Sequence, residues 1–508
     1  MKEKKSDRIW NIVSFLLPVL VFGVEFQLLW RIHKLHMLPV AYFWALTGGM
    51  VLVSALPLLL LFRKKKGKFQ KKQGVGKRVL GYLLCAVLLA GCLLGSIVVG
   101  RVQNTINAIT GTEIINVVLE VYVRTEDDAQ AIQDTAGYCY AVAEDMQQGD
   151  VQKILGELEA VLGEAVETRY YPNSRMALDA LLAGQTDAMI LDSAYISVLN
   201  SMEGYENVQS RVRLLHEHVI EKEVPQKPKP VKPEGPKTAS VTDSPFLIYI
   251  SGNDARRTFL ADGGSDVNIL MLVNARNHQI LLINTPRDYY VVNPASGNGS
   301  RDKLSHCGLR GIDNCIGALS ELYGLDIEYY ARINFTGFET LIDAIGGVTI
   351  HSDIGFHTSK VYIQKGENHL NGAQALSYAR ERKNLAGGDN DRGKNQMKLI
   401  GAMIQQLSVG NLISNYAGIL ESLEGMFSTN FPAKDIGKLV QFQLTEMPSW
   451  EILTFAVTGD NGNDFCWGVS GYGYVMYPHE HMVDHAASLM ERFLAGEKLT
   501  AEDMTVNP

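Results

Sequence analysis

The sequence predicts an α/β protein with two extramembrane domains behind a membrane anchor. The larger domain is expected to have a central mixed β-sheet covered by helices on both faces. A small α/β accessory domain precedes it, and three N-terminal transmembrane helices precede both. Three observations carry this. Residues 9–30, 38–62 and 79–100 are apolar stretches of about the ~20 residues that span a bilayer. Strand-like and helix-like patterns alternate over 113–220 and again over 245–496. A Pro/Lys-rich run over 221–244, with Pro225, Pro228, Pro230, Pro233 and Pro236, separates the two. Such a run is a semi-rigid, polyproline-like spacer. Residues 1–102 are thus the membrane domain and 497–508 a C-terminal tail.

The chain has 508 residues, too many for one ordinary domain. Its net charge of −8 is mild, and the distribution of charge says more. Lys2, Lys4, Lys5 and Arg8 precede the first span. Arg63-Lys64-Lys65-Lys66 with Lys68, Lys71, Lys72, Lys77 and Arg78 fill the second loop, which has no acidic residue. The first loop carries only Arg31 and Lys34, and 102–123 has no Lys or Arg. The positive-inside rule puts the N-terminus and the basic loop in the cytoplasm and everything after residue 101 outside. Two further spans argue against a cleaved signal peptide. The lipidation-like Leu89-Ala90-Gly91-Cys92 lies inside the third span. The basic loop reads as an orientation signal in contact with anionic membrane lipid, not as a nucleic-acid site.

In the accessory domain, Val117–Val123 reads as a strand, Asp127–Gly149 and Val151–Leu162 as helices, Met176–Gly184 as a glycine-ended helix and Ala188–Leu191 as a strand. In the larger domain, Phe246–Ile250, Val267–Val273 and Gln279–Asn284 read as buried strands, being short aliphatic runs bounded by turn residues. A helical pattern follows in 307–323, then a strand over 329–333 and a helix over 335–344. Two further helices begin at Asn371-Gly372 and at Arg392.

Charges sit where the strands end. Asp254 follows the first strand and Asp266 precedes the second, twelve residues apart; Arg287 follows the third. Paired carboxylates at neighbouring strand ends suit one Mg²⁺, and arginine forks suit phosphate oxygens. Arg380 and Arg382 share a face only if the chain there is extended. Gln396 lies one helical turn beyond Arg392. No P-loop is present, Val483 breaks H-E-x-x-H at His479, and Gly468-Val469-Ser470-Gly471-Tyr472 lacks the last glycine of a nucleophile elbow. Of six cysteines none has C-x-x-C spacing, so zinc is disfavoured. Outside the cell a disulfide among Cys307, Cys315 and Cys466 is expected, with connectivity open and free buried thiols as the alternative.

The chain from about Phe246 to Leu494 resembles the catalytic domain of the LytR-CpsA-Psr family, bacterial cell-wall glycopolymer ligases. The resemblance rests on segments in order: Ser251-Gly252-Asn253-Asp254, Ser265-Asp266-Val267-Asn268, Thr285-Pro286-Arg287-Asp288-Tyr289-Tyr290, Asp302-Lys303-Leu304-Ser305-His306 and Asn334-Phe335-Thr336-Gly337-Phe338. Asp343-Ala344-Ile345-Gly346-Gly347-Val348, Tyr378-Ala379-Arg380-Glu381-Arg382 and Gly388-Asp389-Asn390-Asp391-Arg392-Gly393-Lys394-Asn395-Gln396 complete it. Three spans plus an accessory domain match the capsule-type layout. The resemblance implies a Mg²⁺-dependent phosphotransferase. It would move a capsular polysaccharide or teichoic-acid-like glycopolymer from a polyprenyl-pyrophosphate carrier to a peptidoglycan hydroxyl. Asp254 and Asp266 would hold the metal. Arg287, Arg380, Arg382, Arg392 and Gln396 would bind the pyrophosphate, with the lipid tail in an apolar pocket between sheet and helices. Arg287, Asp389 and Arg392 would act in catalysis, Asp389 on the acceptor hydroxyl. Members usually carry Arg two residues before Asp266. Here that residue is Gly264, and Arg256 or Arg257 is expected to supply the charge. The rival expectations are a non-catalytic binding or regulatory protein of polymer assembly, and a polyprenyl-pyrophosphate hydrolase.

Overall fold

The computed structural model describes residues 2–61, 75–111, 113–200, 202, 204–205, 207–224, 240–261, 263–407, 419 and 423–506. The basic residues 63–72 and the proline run 225–239 lie outside the described residues. The chain forms two compact units, 1–107 with 432–448, and 108–431 with 449–508.

In the first unit, α1 (Lys2–Leu35), α2 (Val40–Leu61) and α3 (Val75–Thr110) contain three stretches long and apolar enough to cross a membrane. The third runs on to Thr110, past the expected end at 100. Glu25 of α1 is buried and accepts a hydrogen bond from Ser54 Oγ of α2, so a costly polar group has a partner.

The accessory domain is a five-stranded sheet in the order β3-β2-β4-β1-β5. Its strands are β1 (Glu113–Arg124), β2 (Cys139–Ala143), β3 (Glu167–Tyr171), β4 (Ala188–Asp192) and β5 (Val212–Val224). Helices α4 (Gln148–Leu162), α5 (Ser174–Leu182), α6 (Ser193–Leu199) and α7 (Val208–Arg211) complete it. The helix expected over Asp127–Gly149 does not form. A 3₁₀ turn at Ile132–Thr135 and the strand β2 replace it, because Tyr140-Ala141-Val142-Ala143 is buried on both faces as an inner strand. β5 also runs to Val224, four residues into the expected linker.

The larger domain is built on a mixed six-stranded sheet, β16-β11-β6-β7-β8-β17. Its first strands are β6 (Phe246–Asn253), β7 (Val267–Asn274) and β8 (Gln279–Asn284), an antiparallel meander. Around them come β9 (Tyr290–Val292), β10 (Arg301–Lys303), α8 (Leu304–Cys307), α9 (Ile312–Tyr323), β11 (Tyr329–Asn334) and α10 (Phe335–Ala344). The small pairs β12 (Val348–Ser352) with β15 (Gly366–Leu370) and β13 (Phe356–His357) with β14 (Tyr362–Ile363) follow, then α11 (Gly372–Arg380), α12 (Asp389–Gln406) and β16 (Phe427–Thr429). α13 (Ala433–Glu446) belongs to the first unit, where Gln441 Nε2 donates to His36 O at 2.6 Å. The chain ends with β17 (Glu451–Ala456), the hairpin β18 (Gly459–Cys466)–β19 (Gly471–Pro478), and α14 (Glu480–Leu494). Leu247, Tyr249, Leu270, Leu272, Leu281 and Ile283 pack one sheet face against α9 and α14. The other face meets α12 through Gly393 at Asn284 and Gly401 at Ile452. On that face Ile250 and Met271 stay only half-buried although β6 and β7 are the central strands, while Ile248 and Ile269 beside them are buried.

Asp302 staples the lower-order elements together. Its Oδ1 accepts His306 Nδ1–H at 2.6 Å and the Lys303 amide at 2.8 Å; its Oδ2 accepts the Gly468 amide at 2.6 Å and Asn293 Nδ2 at 3.4 Å. Cys466 brings its sulfur within 4.8 Å of these groups. The carboxylate is already filled by N–H donors, and burial pushes the thiol up to about 12, so the cluster reads as a structural knot and not a metal centre. The expected disulfide is absent: all six cysteines are free, with Cys307, Cys315 and Cys466 packed as small apolar core side chains.

Burial alone would raise the Asp302 pKa, yet His306 and the amide donors outweigh it and hold it below the ordinary carboxylate value. A depressed folded pKa contributes stability that is full above about pH 4 and lost as pH falls through the folded value. Asp302→Asn is therefore expected to cost about 3 kcal/mol at pH 7, with a smaller deficit at pH 3. Unfolding of both proteins at the two pH values checks this; an unchanged deficit would contradict it.

Candidate active site

The meander brings three loop ends to one end of the sheet. Gly252 of β6 pairs with Val267 of β7, and the Asp266 amide donates to Gly252 O at 2.7 Å. Asp254, just after β6, and Asp266, just before β7, therefore emerge side by side. β8 runs antiparallel to β7, with Asn284 opposite Ile269 and the Thr285 amide on Asn268 O at 2.9 Å. That delivers Pro286-Arg287-Asp288 to the same end. Pro286 restricts its own φ and the conformation of Thr285, so the backbone aiming Arg287 is stiff.

Arg287 Nη1 donates to Asp266 Oδ1 at 2.5 Å, and its Nε lies 3.6 Å from Asp288 Oδ2. Lys303 Nζ stands 3.5 Å from Asp288 Oδ1 and 5.9 Å from the centre of the Tyr474 ring. The first turn of α12 completes the group. A Cβ on Gly393 would lie 2.1 Å from Asn284 Oδ1, so only glycine lets the helix come this close to the end of β8. Neighbouring Arg392 is thereby placed, its Nη2 2.8 Å from Asp389 Oδ1 in an ion pair that lacks the angle of a hydrogen bond. Gln396 Nε2 donates to Ala379 O at 3.2 Å, tying α12 to the end of α11. There Arg380 lies over the Phe335 ring at 4.9 Å. The chain turns extended at Glu381, and Arg382 is exposed beyond it.

The electrostatics leave needs of both signs. Asp254 opens to solvent at the rim, yet the protein packed around it and the Asp266 carboxylate push it up to about 6, against the pull of Arg287 and Arg380. Burial likewise raises Asp389, opposed by Arg392. Burial works against charge on Arg287, but Asp266, Asp288 and Asp389 outweigh it and raise its pKa. Arg392 is lowered, chiefly by burial, with Arg287 adding to it. Among the described residues, the buried Nε of both Arg287 and Arg392 lack hydrogen-bond partners. Two orphaned guanidinium donors beside a repelling carboxylate pair fit an anion with several oxygens and a divalent cation.

Neither Arg256 nor Arg257 stands in for an arginine at Gly264. Arg256 is exposed, 3.8 Å from Glu339 of α10, and Arg257 is engaged by Glu120 and Glu217 of the accessory sheet. Position 264 is tight, since a Cβ there would lie 3.2 Å from Ser305 O, which also accepts the Ser265 amide. The sequence alone pointed to no role for Asp288 or Lys303, although both stand in the family-like segments 285–290 and 302–306. Tyr474 carried no signal, because the hairpin reaches the site only through the fold.

The profile of the LytR_cpsA_psr family matches residues 211–488. The chain belongs to the LytR_cpsA_psr family. A Bacillus mycoides relative named polyisoprenyl-teichoic acid–peptidoglycan teichoic acid transferase TagU is 30% identical over 198 residues, 39% of this chain and 64% of that protein. A TagU of the same name from Enterococcus faecalis is 32% identical over 200 residues, 38% of this chain and 64% of that protein. Each alignment spans less than two thirds of the relative's own length. The crystal structure of Bacillus subtilis TagV covers 50% of this chain and 98% of its own, with 25% identity and a TM-score of 0.42.

Within this LytR_cpsA_psr site, rim and buried arginines are expected to behave differently. Arg382→Ala should weaken inorganic pyrophosphate binding about tenfold, the worth of one charge-assisted bond, without changing Tm. Arg392→Ala should abolish binding and also cost about 2 kcal/mol of stability, because Asp389 is left buried without its cation. Calorimetric titration and thermal unfolding of the full-length protein check both.

Proposed function

We propose that this LytR_cpsA_psr protein is a membrane-anchored phosphotransferase. It moves a glycopolymer, a capsular polysaccharide or a teichoic-acid-like chain, from a polyprenyl-pyrophosphate carrier to a peptidoglycan hydroxyl on the outer side of the cell membrane. The observation that carries this is the pair of buried Nε donors on Arg287 and Arg392 that make no hydrogen bond among the described residues, beside Asp254 and Asp266. The names of the TagU relatives support the polymer and acceptor classes. Half-buried Ile250 and Met271 on the sheet face toward α12 would offer apolar surface to a polyprenyl tail. The three apolar helices and their charge asymmetry support a multi-pass anchor with both α/β domains outside.

Asp254 and Asp266 would hold a Mg²⁺, which when bound neutralises phosphate charge. Arg287 and Arg392 donate to non-bridging oxygens of the pyrophosphate, and Arg380 and Arg382 guide it at the mouth. Asp389, its pKa raised, takes the proton of the acceptor hydroxyl. The acceptor oxygen bonds to the polymer-side phosphorus as that phosphorus separates from the bridging oxygen. Polyprenyl phosphate leaves with the electron pair. The pyrophosphate already holds the energy, so no nucleoside triphosphate is needed outside the cell.

The test is transfer of a labelled carrier-linked polymer to peptidoglycan. Arg287→Lys keeps a charge near Asp266 but loses the fork, and should fall about 10²-fold in rate, the scale of one transition-state donor. Arg287→Ala should be slower still, and Asp266→Ala should lose both activity and Mg²⁺ response. Wild-type transfer by Arg287→Ala would overturn the assignment. Release of polymer to water without peptidoglycan would favour the hydrolase, and no turnover by the wild type the binding or regulatory protein.

A further inference from the structure

The loop that carries the two carboxylates is held from outside the catalytic sheet. Between Asp254 and Asp266, Arg257 donates through Nη1 to Glu217 Oε1 at 2.6 Å and through Nη2 to Glu120 Oε1 at 3.0 Å. Both glutamates belong to the accessory domain, where Glu120 of β1 and Glu217 of β5 are directly opposite one another in register. Like charges facing each other across an antiparallel pair destabilise a sheet. Glu120 is buried while Glu217 is exposed, and that burial raises the Glu120 pKa. The sheet therefore presents a two-carboxylate receptor that needs a planar, two-pronged cation, which is what an arginine supplies. Tyr122 Oη, donating to Glu120 Oε2 at 2.7 Å, fixes the receptor's geometry.

A second tie lies three residues on. The backbone amide and Nδ2 of buried Asn116 on β1 both donate to Leu260 O, at 3.2 and 3.0 Å. The inner edge of the same loop is held by the catalytic domain. Asn334 Nδ2 donates to Arg257 O and Phe259 O, and Arg332 Nη2 and Asn253 Nδ2 donate to Ala261 O. The loop is thus sandwiched, and its two aspartates repel one another at its ends.

We propose that the accessory domain is a positioning element for the paired carboxylates. Its Glu120–Glu217 receptor and Asn116 clasp Arg257 and Leu260 and so fix the separation of Asp254 and Asp266. This rests on the reading of those aspartates as a divalent-cation site. Arg257, Glu120 and Glu217 touch neither substrate nor cation and act through the loop. The accessory domain would then be a place from which any ligand or strain could tune cation affinity.

The test uses full-length protein in detergent and the triple variant Arg257→Met/Glu120→Gln/Glu217→Gln. Removing the facing charges along with the arginine leaves the accessory sheet without a buried unpaired ion, so a loss of folding is avoided. Hydrogen exchange across residues 254–266 should quicken about tenfold, and half-saturating Mn²⁺, read by electron paramagnetic resonance, should rise about tenfold, as for loss of an outer-shell support. Arg257→Lys alone, keeping one prong, should fall between. Unchanged exchange and unchanged Mn²⁺ binding would overturn the proposal. If the wild type binds no Mn²⁺, the cation reading fails, and the exchange of the loop decides the clasp.

Discussion

The ion pair between Arg287 and Asp266 is the contact on which the site depends. It uses one prong of the guanidinium and one oxygen of the carboxylate, leaving an Nε and a second oxygen available to ligands. It also locks the exit of β8 to the entrance of β7. The meander makes this possible, because two antiparallel steps, one through the loop 254–266 and one through the tight turn 275–278, return the chain to the same end of the sheet. Pro286 and the close approach of Gly393 to Asn284 do the rest, the first by stiffening the strand exit, the second by seating α12. A sheet with the same strands in another order would scatter these charges.

Such a cluster is held at a cost to stability. Asp254 is pushed up to about 6, Arg392 is lowered, and two buried guanidinium nitrogens make no hydrogen bond among the described residues. Sites made ready for a ligand concentrate unmet electrostatic demand that the rest of the fold must offset. Here the offset comes from complete burial of the strand faces against α9 and α14, and from knots such as Asp302, whose oxygens are fully used.

Much of the fold was legible because the decisive segments are locally consistent. The aliphatic runs at 246–250, 267–273 and 279–284, each bounded by turn residues, read as buried strands, and the charges at their ends announced a site. The helix read over Asp127–Gly149 failed because a short apolar run suits a strand or a helix equally, and only its neighbours β3 and β4 decide. The disulfide expectation, which rested on an extracytoplasmic setting, failed because core packing satisfies a thiol as well. Arg257 was misread for a deeper reason. Next to Arg256 it looks like a spare phosphate ligand, and its true partners lie 137 and 40 residues away on a strand pair whose facing glutamates no local pattern reveals.

Carboxylates and arginines converge on one site, where cation and pyrophosphate are expected to bind in mutual dependence. Binding linkage tests this without turnover. Titrating inorganic pyrophosphate into the detergent-solubilised full-length protein with and without Mg²⁺ should show affinity at least about tenfold higher with the cation, and the gain should vanish in Asp254→Asn. Equal affinity in the two titrations would contradict the account.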